Sequence, residues 1–259
     1  MKPIFRPEEL MRVQTSRDGR IFVIRLNRPD KRNAFDAAMT SGLDAALNEF
    51  DDDPSLWVAV LTGEGDGFSA GTDLSSGSGE PTPRGGHYGL VRRARRKPLI
   101  AAVEGFAYGG GMEIVLACDL LVAARTATFG LPESRRGVIA TCGGLFRTAR
   151  ALPLNVAKQL LLTGEPITAE RGYELGFVNE IADAGAALTA AMALAQRVCR
   201  SAPTSVQESL VALERVHSAD DQFAWQVTEE AIANTLTSQD TAEGVQAFLE
   251  RREPRWSGR

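Results

Sequence analysis

The chain has 259 residues, 44% of them hydrophobic, and a formal charge of −4, with no apolar run near the roughly 20 residues that a membrane helix requires. Its cysteines (Cys118, Cys142, Cys199) are scattered and odd in number, and its histidines (His87, His217) lie far apart, which excludes a disulfide framework, a CxxC site and a local HExxH zinc motif. The composition reads as a soluble cytoplasmic protein without a metal, and the acidic balance argues against a general nucleic-acid binder.

Residues 1–10 contain Pro3, Pro7, Glu8 and Glu9, where a signal peptide needs an unbroken apolar segment. Residues 13–16 and 21–26, joined through Asp18-Gly19, predict a β-hairpin. A helix is expected over 36–50, with Ala37, Leu43, Ala46, Leu47 and Phe50 recurring at helical spacing, and Pro54 closes it. Short apolar runs at 56–61, 99–103 and 120–124 fit buried strands. Helical segments at 88–97 and 110–117 fall between them. This order implies an α/β fold with a parallel or mixed sheet covered by helices, and a site at the strand-to-helix turns.

Beyond Gly143 helices are expected at 144–152, 155–162, 168–175, 184–199, 204–217 and 220–235, with a strand at 177–181. The chain divides into a core, 1–200, and a helical C-terminal region, 201–259, whose amphipathic helices can pack on another subunit.

Two glycine-bearing turns stand out. The first reads Gly67-Phe68-Ser69-Ala70-Gly71-Thr72-Asp73, and the second runs from Gly105 through Gly109-Gly110-Gly111 to Glu113. Such turns let backbone N–H groups approach a ligand oxygen. With Glu113 and Glu133 to move protons, they supply the parts needed to add water to a polarised double bond. Each part also has a plainer explanation. Gly67 to Gly71 matches the GxSxG elbow of serine hydrolases, but the strand before it ends early and the histidines are poorly placed to serve Ser69. Gly109 to Gly111 could be a tight turn or a fragment of a dinucleotide loop. Glu113 could interact with its own helix dipole, and Glu133 could be a surface carboxylate. The loop 75–86 is either a connector or a flank of the pocket. The basic run Arg92-Arg93-Ala94-Arg95-Arg96-Lys97 reads as a solvated helix face, a subunit contact or an RNA-binding patch.

Taken together, residues 68–74, 105–113 and 129–133 resemble, in order and separation, the crotonase (enoyl-CoA hydratase/isomerase) family. Segments 27–34, 161–169 and 240–251 extend the resemblance over nearly the whole chain. It implies a crotonase-like spiral of ββα units with C-terminal helices that build trimers, commonly paired as hexamers. It further implies an acyl-CoA substrate, with coenzyme A as part of that substrate and no separate cofactor. Carried over by motif, the N–H groups of Ala70 and Gly110 form an oxyanion hole, and Ala70, Gly71, Thr72 and Asp73 border the CoA moiety. Lys31 and Arg32 become phosphate neighbours, Glu113 the base and Glu133 the acid. Retention of both glutamates favours an enoyl-CoA hydratase, giving 3-hydroxyacyl-CoA from 2-enoyl-CoA. The alternatives are a carnitinyl-CoA dehydratase-like activity, suggested by the ending 253–259, an isomerase, or a non-catalytic CoA- or RNA-binding protein. Residues 75–86, 106–108 and 134–142 depart from common members and point to a specialised acyl group.

Overall fold

The computed structural model describes residues 11–218 and 220–257; the segment read above against a signal peptide and the last two residues of the C-terminal ending lie outside the described residues. A hairpin opens the chain, β1 (Val13–Asp18) against β2 (Ile21–Leu26), with Gly19 left-handed in the two-residue turn. The strands reach two residues closer to the turn than expected on the β1 side. Helix α1 (Ala37–Asp52) follows, capped by the Asp36 side chain, which accepts a hydrogen bond from Met39 N at 2.8 Å.

Strands β3 (Val58–Gly63), β4 (Leu99–Val103) and β6 (Leu120–Ala124) then add to β2 in parallel, and β9 (Glu180–Ala182) completes a sheet of order β1-β2-β3-β4-β6-β9. Alternate residues face opposite sides. Phe22, Ile24, Leu61, Ala101 and Val103 join the main core with α1, whereas Ile21, Val58, Val60, Ile100 and Val122 pack under α6 (Ala187–Cys199) through Ala191 and Ala195. Burial on both faces explains the unbroken apolar runs that marked these strands.

A second sheet, order β5-β7-β8, comprises β5 (Phe106–Tyr108), β7 (Thr128–Gly130) and β8 (Ile167–Thr168). The chain therefore repeats a unit: β4, β5 and α2 (Gly110–Leu116), then β6, β7 and, after a 3-10 turn (Pro132–Arg136), α3 (Gly144–Ala151). The first strand of each unit joins the large sheet and the second joins the small one. A bridge between Ser69 and Ala107 brings the first glycine turn beside β5, so both glycine turns meet along one strand.

Helices α4 (Leu154–Thr163), α5 (Ala169–Glu174), α7 (Pro203–His217) and α8 (Asp221–Leu236) follow the expected spans closely. Two differences are instructive. The segment 88–97 is not a helix but a 3-10 turn (His87–Gly89) followed by irregular chain, in which Arg93, Arg95 and Lys97 turn inward to separate partners. A further helix, α9 (Gln239–Glu250), was not anticipated; Gly244 weakens its local signal. That glycine is required by contact, since a Cβ there would lie 2.2 Å from Arg136 O. Among the described residues no helix is long and apolar enough to cross a membrane.

Candidate active site

The first glycine turn is held by buried side chains. Asn33 donates from Nδ2 to Glu64 O (2.8 Å) and Gly67 O (2.9 Å) and accepts from Arg28 N (2.8 Å). Ser69 is fully buried; its Oγ donates to Asn33 O at 2.8 Å and accepts from Gly71 N at 3.1 Å. That geometry makes Ser69 a clamp of the turn, and its segment does not join a strand directly to a helix as a nucleophile elbow does. Asp73 accepts from Ser75 Oγ (2.6 Å) and Arg28 Nη1 (2.8 Å), which hold its carboxyl well below the usual range.

The second turn leads from β5 into α2, and Glu113 lies in the first turn of that helix, 2% exposed. Its carboxylate does not cap α2. Oε1 instead accepts from Cys142 N (2.6 Å) and Gly144 N (2.9 Å), where α3 begins. Burial pushes Glu113 up to about 7, and these two N–H groups oppose that rise. Glu133 comes from the 3-10 turn after β7 and reaches over Gly109: a Cβ on Gly109 would lie 3.1 Å from Glu133 Oε1. Gly109 also has φ +55, a conformation that suits glycine. Glu133 Oε2 is buried with no hydrogen-bond partner, and burial together with the nearby Glu113 charge raises Glu133 to about 8. Glu133 thus senses the Glu113 charge, and the carboxyl with two N–H donors ionises first.

These motif residues converge in space, with the two glycine turns in contact and Glu133 over Gly109. The enoyl-CoA hydratase/isomerase family model matches residues 16–259. The chain belongs to that family. It is 35% identical to a mevalonyl-coenzyme A hydratase of Aspergillus fumigatus, over 91% of each chain. It is 36% identical to a carnitinyl-CoA dehydratase of Salmonella paratyphi A, over 94% of this chain and 97% of the relative. Among solved structures, a carnitinyl-CoA hydratase from Mycobacterium avium superposes with a TM-score of 0.89 at 40% identity, covering 96% of this chain and 99% of that one. The ββα units and two sheets described above are accordingly the crotonase fold.

Within this crotonase frame one expected donor is displaced. The Ala70 N–H donates to Arg32 O at 3.0 Å, so it is not available to a ligand oxygen. Two residues on, the Thr72 N–H meets no acceptor among the described residues, while its neighbours Phe35 and Asp73 pair across it: Phe35 N donates to Gly71 O (2.8 Å) and Asp73 N to Phe35 O (2.9 Å). The Gly110 N–H, at the first position of α2, is likewise unused, as helix geometry dictates. A Cβ on Gly71 would lie 2.7 Å from Gly110 N, which puts the two turns in contact at this point. Sequence spacing could not show that the Ala70 N–H is taken, because the Arg32 carbonyl that accepts from it comes from a distant segment.

Lys31 and Arg32 are exposed, and the Arg32–Ala70 backbone bond sets them beside the first turn. The basic run behaves differently. Arg93 pairs with Asp44 (2.5 Å) and Asp51 (2.9 Å), Arg95 with Asp119 (2.5 Å), and Lys97 donates to the carbonyls of Phe50 (2.8 Å) and Asp53 (2.7 Å). Arg92 lies over the Trp225 ring at 4.1 Å and pairs with Glu229, and Arg96 pairs with Glu208. The charges that suggested RNA are matched within the chain.

Proposed function

We propose that the protein is an enoyl-CoA hydratase-type hydro-lyase, adding water to, or removing it from, the α,β double bond of an acyl-CoA thioester. The observation that carries this reading is the unequal pair of buried carboxyls. Near neutral pH Glu113, pushed up to about 7 but held by two N–H donors, supplies the base, while Glu133, raised to about 8 with Oε2 unpartnered, keeps its proton. A water between them gives a proton to Glu113 as its oxygen attacks the β-carbon, and Glu133 protonates the α-carbon. The enolate formed on the way places negative charge on the thioester oxygen. The N–H groups of Gly110 and Thr72 are the donors for that charge, Thr72 taking the place first given to Ala70. Such a donor is worth about 10²–10³ in rate.

The turn 70–73 borders the CoA moiety in this reading, with Asp73 acting through its Arg28 and Ser75 contacts, and Lys31 and Arg32 meet CoA phosphates by charge. Residues 201–259 form the oligomerisation region of a trimer or a hexamer, beside a core of 1–200. Exposed Leu213 (70%), Val216 (81%) and Phe223 (67%) on α7 and α8 support that arrangement. The unpaired cysteines suit a reducing cytoplasm. The mevalonyl-CoA and carnitinyl-CoA enzymes among the relatives direct the search toward polar, branched or modified acyl groups.

The test is to follow the loss of enoyl-thioester absorbance with crotonyl-CoA, longer straight-chain enoyl-CoAs, dehydrated mevalonyl-CoA and crotonobetainyl-CoA. Hydration of at least one is expected. Inertness across the panel, or double-bond migration without water addition, would sink the hydratase reading.

A further inference from the structure

Tyr88 is a residue that the two-carboxylate chemistry does not use, yet it stands in the site. Its backbone is left-handed (φ 55, ψ 9), uncommon for a bulky side chain, and positive-φ Gly86 and Gly89 flank it. The loop is wedged in place from outside. Gly89 packs so tightly on α1 that a Cβ there would lie 2.7 Å from Asp44 N, and Arg92 N donates to Gly85 O at 2.8 Å. The ring is consequently driven inward, 3% exposed, edge-on to Phe35 at 5.1 Å.

The phenol ends beside the two residues whose N–H groups are unused among the described residues. Tyr88 OH lies 2.7 Å from Thr72 Oγ1. It also stands 2.3 Å from where a Gly110 Cβ would be. Cα–Cβ bonds in a helix lean toward the N-terminus, so that position borders the space into which the Gly110 N–H points. Thr72 Oγ1 has no other acceptor among the described residues; its proton can go to the Tyr88 oxygen, which leaves the phenol proton for the weakly accepting Cys142 sulfur beside it or, in its place, for a ligand oxygen. Burial and the nearby Cys142 and Glu113 hold the phenol well above its ordinary range, so it remains a donor.

We propose that the Tyr88 hydroxyl is a third hydrogen-bond donor to the thioester oxygen, completing the cradle begun by the Thr72 and Gly110 N–H groups and oriented by the Thr72 hydroxyl. The proposal rests on the acyl-CoA reading above. In water addition the bond from the water oxygen to the β-carbon forms as the α,β π-bond breaks, and the electron pair moves onto the thioester oxygen. Tyr88 donates a hydrogen bond to that oxygen without transferring its proton, and the pair returns to form the α-C–H bond.

Tyr88→Phe keeps the ring and removes only the donor. The expected result with the best enoyl-CoA of the panel is a fall of about 10²–10³ in kcat with KM nearly unchanged. Thr72→Val, which keeps the N–H and removes the orienting hydroxyl, should fall by a smaller factor. Two equilibrium probes separate a donor from a mere packing residue. Acetoacetyl-CoA should bind wild type with the ultraviolet band of its enolate and bind Tyr88→Phe more weakly, with that band diminished. Butyl-CoA thioether, which has no carbonyl, should bind both proteins alike. Wild-type turnover with Tyr88→Phe retaining kcat within threefold, or equal weakening of both probes, would overturn the role of Tyr88 and leave the hydratase reading standing. Failure of wild type to bind either probe would overturn both.

Discussion

Glu113 and Glu133 approach one site from two regions built on different principles. Glu113 sits at the junction of α2 and α3, fully enclosed, with two backbone N–H groups aimed at one oxygen. Glu133 rides on a five-residue 3-10 turn, with one oxygen over Gly109 and the other unpartnered, and α9 lies behind that turn. Thr241 Oγ1 donates to Gly137 O at 2.6 Å, and the Arg136 guanidinium lies 5.1 Å from the Phe248 ring centroid. The difference teaches that burial raises both carboxyls, with the Glu113 charge adding to the rise of Glu133, whereas local N–H donors decide which one gives up its proton first.

The largest expected effect comes from removing either carboxyl. Glu113→Gln and Glu133→Gln should each lower kcat by about 10²–10⁴ while acyl-CoA binding survives. In wild type kcat/KM should follow a bell, falling below about 7 as Glu113 protonates and above about 8 as Glu133 ionises. A kcat/KM profile with a single limb would break the division of roles. Next in size is Gly109→Ala, which crowds Glu133 Oε1 and strains a positive φ. A loss of about 10² in kcat is expected from displacing the acid, with Glu113 chemistry otherwise intact. An unchanged alkaline limb and unchanged rate in that variant would show that Glu133 does not depend on Gly109.

Gly244→Ala probes the same seat from behind. Its Cβ forces α9 away from Arg136, so a smaller loss, roughly tenfold, should appear in kcat along with a shift of the alkaline limb only. A shift of the acid limb instead would place the influence of α9 on Glu113. The smallest effect is on stability. Because the folded pKa of Glu133 exceeds its unfolded value, its contribution is complete below about 4.5 and is lost as pH rises through about 8. Glu133→Gln should therefore raise Tm at pH 9 relative to wild type, by roughly 2–4 °C for each kcal/mol recovered, and leave it nearly level at pH 4. Equal Tm changes at both pH values would show that ionisation of Glu133 does not carry the effect.

Much of this site was legible in the chain. The helical spacing of apolar residues over 36–50 predicted α1, two-sided burial showed as unbroken apolar runs, and the glycine turns with both glutamates pointed to the crotonase family. Less was legible wherever a long-range partner overrides a local pattern. Residues 88–97 carry an acceptable helical composition, but Arg93, Arg95 and Lys97 find buried partners on α1, at Asp119 and at the end of α1, and irregular chain lets each reach its own. Gly244 looks like a break in α9 until the backbone of Arg136 is set against it.

The amino-acid sequence by itself determined the chemical inventory: the two carboxylates, the glycines that admit backbone to a ligand, and the order of strands and helices. Those depend on side-chain type and short-range spacing, which local physics can read. Tertiary structure alone decided that the Ala70 N–H is taken by Arg32 while that of Thr72 meets no acceptor among the described residues, that Glu113 is the better hydrogen-bonded of the two acids by virtue of Cys142 and Gly144, and that Tyr88 turns inward beside Gly110. Each of these is a choice of hydrogen-bond partner or packing neighbour between segments far apart in the chain, and such choices exist only once the chain has folded.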